Sequence, residues 1–125
     1  MSNNVQAGYR ARSNNVQAGY RAQEKALEFL IHKGFELVEA NFRTRSAEID
    51  LVMKDGTYFV FVEVKYKSDT RHGLPREAVG PRKQKQIKKA ALSYIALNRL
   101  HNNDFRFDVV EILDDQIAHI DNAFQ

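Results

Sequence analysis

The stretch Glu48–Lys65, EIDLVMKDGTYFVFVEVK, decides the fold. Asp55-Gly56 is a strong two-residue hairpin signal, and apolar residues recur on either side of it. Ala47 to Met53 therefore reads as one strand and Thr57 to Lys67 as the next. Tyr58 to Val62 is apolar at every position, so both faces of that strand should be covered and it should lie centrally in a sheet. With Asp55-Gly56 as the turn centre, Glu48 falls opposite Glu63 and Asp50 opposite Phe61. Side chains alternate along a strand, so Glu48, Asp50, Phe61, Glu63 and Lys65 are expected on one face. Asp50 and Glu63 become diagonal neighbours with backbones roughly 7–8 Å apart. An odd-length loop would shift the pairing by one residue and break this arrangement.

Outward from the hairpin, Phe35 to Phe42 alternates enough to read as a strand. Before it, Ala22 to Lys33 carries a helical apolar stripe of Ala26, Leu27, Leu30 and Ile31, and Gly34 is a good stop. After the hairpin, Ser68 to Gly80 is a polar loop. Pro81 suits the first turn of a helix that should run to about Leu100, with Ile87, Ala91, Tyr94, Ile95 and Leu97 or Asn98 near its inner face. Phe105 to Leu113 reads as a fourth strand, Asp114-Asp115 as a turn, and Gln116 to Ile120 as a short extra strand. The order α-β-β-β-α-β-β predicts an α/β fold. Its mixed sheet combines a meander with a helical crossover, and the helices pack on the sheet.

The N-terminus carries a tandem duplication: Ser2–Ala11 and Ser13–Ala22 both read SNNVQAGYRA. A single repeated unit does not make a solenoid, which needs three or more stacked copies. Residues 1–12 are therefore expected to lie outside a single domain formed by residues 13–125. Ser13-Asn14-Asn15 suits a helix N-cap better than a helix interior.

The 125 residues suffice for one domain. With 43% hydrophobic and 28% charged residues, the composition is that of an ordinary globular protein. No apolar run approaches the roughly 20 residues of a membrane helix, and the start lacks a signal-peptide pattern. The absence of Cys excludes disulfides, thiolate zinc sites and a Cys nucleophile. A cytoplasmic protein without membrane attachment is expected. The net charge of +3 hides an asymmetry: nine basic residues against two acids from Lys65 to Lys89, and one Arg against six acids from Asp104 to Gln125. A basic segment on an otherwise acidic chain suits a polyanion, most often nucleic acid. Lys85, Lys88 and Lys89 fall on one basic helix face, for which the bland alternative is simple solvation.

Glu63 and Lys65 interrupt a strongly apolar strand, where buried charge is costly unless paired. A divalent cation between Asp50 and Glu63 would remove that conflict. Mg²⁺ takes oxygen ligands, commonly one or two carboxylates with water and substrate phosphate. It can activate water and stabilise the charge that develops in phosphodiester cleavage. Lys65 could hold the water or the phosphate. A simple Glu63–Lys65 ion pair at a strand end explains the pattern equally well.

Asp50, twelve intervening residues, then Glu63-Val64-Lys65 resembles the PD-(D/E)XK signature of restriction-endonuclease-like nucleases. The predicted element order matches the core of that fold. Four stretches more closely resemble the YraN family of bacterial proteins. They are Ala47-Glu-Ile-Asp-Leu-Val52, Phe61-Val-Glu-Val-Lys65, Ala78-Val-Gly-Pro-Arg-Lys83 and Arg106-Phe-Asp-Val-Val110. That resemblance spans about Gly19 to Phe124. It implies an endonuclease related in fold to archaeal Holliday-junction resolvases, and so metal-dependent hydrolysis of DNA, with branched DNA as one substrate class. By the same resemblance, Asp50 and Glu63 would bind Mg²⁺ or Mn²⁺, Lys65 would orient the water, and Glu48 would be auxiliary.

Two positions depart from the family pattern. Ala47 stands where relatives usually carry Gly. Gln23 stands where the first helix of relatives tends to carry a Glu that helps bind metal, and an amide oxygen is a poorer ligand. A nuclease fold kept only for binding nucleic acid is therefore an alternative, as is a structural partner protein. Arg43, Arg45, Lys67 and Lys83, with Lys85, Lys88 and Lys89, are candidate contacts to a phosphate backbone. Cutting a four-way junction symmetrically would call for a homodimer. Asp108 reads as a hydrogen-bonded structural residue, and the four His residues show no ligand spacing.

Overall fold

A computed structural model describes residues 10–67 and 79–125, with side chains from residue 17 onward. Most of the first repeat copy and most of the loop before the second helix fall outside these residues. The elements are α1 (Arg10–His32), β1 (Glu36–Arg43), β2 (Glu48–Asp55), β3 (Tyr58–Lys67), α2 (Pro81–Leu97), β4 (Asp104–Leu113) and β5 (Gln116–Phe124). The strands form one sheet in the order β1-β2-β3-β4-β5. β3 and β4 are parallel, joined through α2, and the other neighbours are antiparallel. This is the restriction-endonuclease-like α/β arrangement, with β3 at its centre.

Alternation along β3 divides the core in two. Val60 and Val62 pack with Ala22, Ala26 and Leu30 of α1. Phe59 and Phe61 pack with Ile87, Ala90, Ala91, Tyr94 and Ile95 of α2. The helices thus cover opposite faces, which is why Phe59–Val62 is apolar without interruption. Tyr94 meets Phe42 and Phe61 edge-on, with ring centroids 5.0 and 5.9 Å away.

Four details differ from the sequence reading. α1 runs straight through Ser13-Asn14-Asn15, so no cap forms there. It ends as expected at Gly34, with φ +100. There the Phe35 N–H bonds the Leu30 carbonyl and the Gly34 N–H bonds that of Ile31, at 3.0 and 2.9 Å. α2 stops at Leu97 because Arg99 turns left-handed and the Leu100 N–H returns to the Ile95 carbonyl, leaving Leu97 exposed. β5 is not short: it continues to Phe124, whose ring stacks on Phe107 at 5.0 Å.

The hairpin register is the fourth difference. Asp55 pairs with Tyr58, and the turn is Gly56-Thr57, with Gly56 at φ +62. A positive φ at the first turn position is what a type II′ turn asks of glycine. The pairing is shifted by two residues from the expected one. An even shift preserves the facing of every side chain, and Val52 meets Phe61 on the α2 face.

Candidate active site

The alternation of β1 and β2 breaks together at one rung. Ala40 pairs with Leu51 and Phe42 with Ile49, so Asn41 and Asp50 stand opposite each other between them. Asn41 has φ +56, a left-handed conformation that Asn tolerates better than most residues. Beyond this rung the faces swap. Ile49 and Val52 both pack in the α2 core although they are three positions apart. Leu51 and Met53 pack in the α1 core. Glu48, expected on the face of Glu63 and Lys65, is turned instead toward a cavity beside α1.

Asp50 sits at the switch and belongs to both sides. It borders the α1-side cavity with Gln23, Asn41 and Glu48. Its Oδ2 accepts a hydrogen bond from the Val64 N–H at 2.8 Å. Its carboxyl also interacts with that of Glu63. Burial, then repulsion from Glu63, pushes the Asp50 carboxyl up to about 7, against the pull of the Val64 N–H. Burial also raises Glu63, opposed chiefly by the Lys83 ammonium and then by Lys65. Lys83 Nζ lies 3.5 Å from Glu63 Oε2. The site therefore holds two half-buried, mutually repelling carboxyls with two lysines beside one of them.

Glu48 is held differently. Asn41 Nδ2 donates to Glu48 Oε2 at 2.7 Å, and Arg43 Nε approaches Oε1 at 3.5 Å. Asn41 is itself held by Gln23 in a reciprocal amide pair, with bonds of 2.9 and 3.1 Å. Gln23 thus lines the cavity from α1 with its amide paired to Asn41. Asn41 was missed from the sequence; its only signal is a polar residue interrupting an apolar strand.

The remaining candidates spread outward. Arg45 is exposed in the β1–β2 connection, and Lys67 is half-buried at the end of β3. Lys85 and Lys89 are exposed and Lys88 half-buried, on the side of α2 away from Ile87, Ala90 and Ala91. Among the described residues there is no group of three or more acidic or His side chains arranged as a metal cluster. No helix among them is long and apolar enough to cross a membrane.

Asp108 is fully buried and structural. Arg106 donates to both its oxygens, at 2.9 and 3.0 Å, and the Asn122 N–H adds a third bond at 3.0 Å. His119 Nε2 lies 2.8 Å from Oδ2, and Lys33 Nζ 2.8 Å from His119 Nδ1. An ammonium only donates, so Nδ1 accepts and the ring proton sits on Nε2, facing Asp108. Arg106 also bonds Asp55 at 3.0 Å, tying the β2–β3 turn to this network.

Residues 22–112, which include every one of the carboxyls around the kink, match the uncharacterised protein family UPF0102. A UPF0102 protein of Trichlorobacter lovleyi is 44% identical over 108 residues, spanning 82% of this chain and 85% of the relative. One of Thermodesulfovibrio yellowstonii is 41% identical over 102 residues, spanning 82% and 90%. One of Syntrophomonas wolfei is 44% identical over 106 residues, spanning 82% and 92%. With a family match over most of the chain and relatives above 40% identity across 82% of it, the chain belongs to the UPF0102 family.

Proposed function

We propose that this protein is a divalent-metal-dependent nuclease that hydrolyses phosphodiester bonds in DNA. The observation that carries the reading is the pair Asp50 and Glu63. Two half-buried carboxyls face one another at a break in β2, at a cost to folding that a bound cation would remove. The donor set fits: two carboxylates with room for water and phosphate suit Mg²⁺ or Mn²⁺, which prefer oxygen. Such an ion supplies a water of lowered pKa and neutralises charge on the phosphate. Asp50 and Glu63 would hold it, and the Val64 N–H fixes the Asp50 carboxyl in place. Lys65, next to Glu63 on the same strand face, would orient the attacking water and meet negative charge. Lys83 would pass from Glu63 to a phosphate oxygen when substrate arrives. Arg43, Arg45, Lys67, Lys85, Lys88 and Lys89 would track the backbone.

A second reading, nucleic-acid binding without cleavage, is favoured by Gln23. Its amide is paired with Asn41 and adds no third carboxylate. Calorimetric titration of the protein with Mg²⁺ and Mn²⁺, alongside cleavage of labelled DNA, separates the two. The nuclease reading expects binding and cleavage that both vanish in Asp50→Asn. Salt-sensitive DNA binding without metal uptake or cleavage would establish the binding module instead.

A further inference from the structure

The cavity beside α1 has features that the two carboxyls do not use. Its volume is about 240 Å³, below the roughly 300–1,000 Å³ of a site for a drug-sized ligand and suited to one planar ring system. Two tyrosines border it, Tyr20 from α1 and Tyr66 from β3, and they are 57% and 45% exposed. Large aromatic rings left that open cost apolar hydration without contributing to the core. The Gln23–Asn41 amides line the same cavity. After their mutual bonds and the one to Glu48, Gln23 Nε2 keeps one hydrogen, and the two amide oxygens keep one lone pair each.

Gly19 lines the same cavity. A helix-interior glycine costs about 1 kcal/mol relative to alanine. Packing does not require it here, since a Cβ at Gly19 would meet nothing within 4 Å, and its φ is not in the left-handed range. A larger side chain at this lining position would take up space that the glycine leaves to the cavity.

Resting on the nuclease reading, we infer that this cavity is a subsite for one unpaired nucleobase. The base stacks against Tyr20 and Tyr66, and its polar edge meets the Gln23–Asn41 amides. Asp50 borders both the cavity and Glu63, so a base held there brings its own phosphate to the carboxyls. Aromatic stacking accepts any base, because every base has a π-face. A base inside continuous duplex must first be unpaired and unstacked, at a cost of a few kcal/mol. The preferred substrate class is therefore nucleic acid with an unpaired nucleotide beside the cleavage position, such as an overhang, flap or branch point.

The test uses the full chain in EDTA, so that binding is read without cleavage. The probes are a blunt DNA duplex and the same duplex with a short overhang carrying 2-aminopurine. The overhang should bind about tenfold more tightly, the lower part of the range for stacking one base, with quenched fluorescence. Tyr20→Leu with Tyr66→Leu should abolish the preference and the quenching while leaving blunt-duplex affinity unchanged, and the matching Phe pair should keep both. Gly19→Leu, which favours the helix, should raise thermal stability while removing the preference. Equal binding of both probes, or a preference that survives both leucine variants, overturns the subsite. Loss of the subsite with Mg²⁺-dependent cleavage intact leaves the nuclease reading standing. An intact stacking preference without metal uptake or cleavage overturns hydrolysis and leaves the subsite standing.

Discussion

The Asp50 carboxyl accepts the Val64 backbone N–H at 2.8 Å, just beyond the point where the β2–β3 ladder ends at Leu51–Val62. A side chain here does what a strand carbonyl would do in a regular sheet. This is possible because Asn41 and Asp50 switch faces at the same rung. The bond uses one oxygen and keeps the carboxyl close to Glu63.

Asp50 should give the metal-free protein an unusual pH profile. Its folded pKa of about 7 lies above the roughly 3.9 of an unfolded Asp. The folded state therefore keeps its proton while the unfolded state loses it. The stabilising contribution is complete below about pH 4 and is lost as pH rises through about 7. Asn can still accept the Val64 N–H but cannot ionise. In EDTA, Asp50→Asn should be more stable than the parent at pH 8, by about 2–4 kcal/mol in urea unfolding, and nearly equal to it at pH 4. Parallel pH curves for the two proteins would show that Asp50 does not titrate in this range.

Part of this arrangement was legible in the sequence and part was not. Strand facing in the hairpin survives a register error of two residues, because the side-chain period is also two. Asp50, Glu63 and Lys65 could therefore be grouped from a turn placed slightly wrongly. The position of Glu48 was not legible, since it depends on a left-handed Asn41 on another strand. The hydrophobic pattern ends at Ile120, yet β5 continues, because irregular pairing between Phe107 and Val109 brings Phe124 back onto the sheet. Only interactions between distant residues carry that information.

Asp108 should show the opposite pH dependence. Burial would raise its pKa, but the bonds from His119, Arg106 and the Asn122 N–H outweigh burial and leave it lowered. A lowered folded pKa stabilises above the unfolded value, and that stability is lost as pH falls through the folded pKa. Asp108→Asn removes the charge opposite Arg106 and disrupts a buried network. It should cost about 3–5 kcal/mol at pH 7, read from the urea midpoint, with a smaller loss near pH 3. A loss below about 1 kcal/mol would mean that the network contributes little net stability.

Lys85, Lys88 and Lys89 lie away from the buried face of α2, so replacing all three with Gln should leave the melting temperature nearly unchanged. If they neutralise phosphates, DNA affinity should fall at low salt. The slope of log affinity against log salt should flatten by about 0.9 for each phosphate that no longer meets a lysine. An unchanged slope would assign these lysines to solvent alone.

Gln23→Glu tests whether the first-helix position belongs to the metal site. Gln23 donates through Nε2 to Asn41 Oδ1 and accepts from Asn41 Nδ2, and Asn41 in turn donates to Glu48. A carboxylate at residue 23 loses the first of these bonds. It also adds a negative charge to a cavity already bordered by Glu48 and Asp50. In EDTA the variant should melt several degrees below the parent, since about 1 kcal/mol corresponds to roughly 2–8 °C in a domain of this size. Repulsion of this kind is what a cation relieves, so saturating Mg²⁺ or Mn²⁺ should raise the melting temperature of Gln23→Glu more than that of the parent. Gln23→Ala separates charge from bonding: it loses the amide pair without adding charge and should gain nothing extra from metal. Equal metal-induced shifts in the parent and in Gln23→Glu would place residue 23 outside the metal's reach and leave it only the task of holding Asn41 against Glu48.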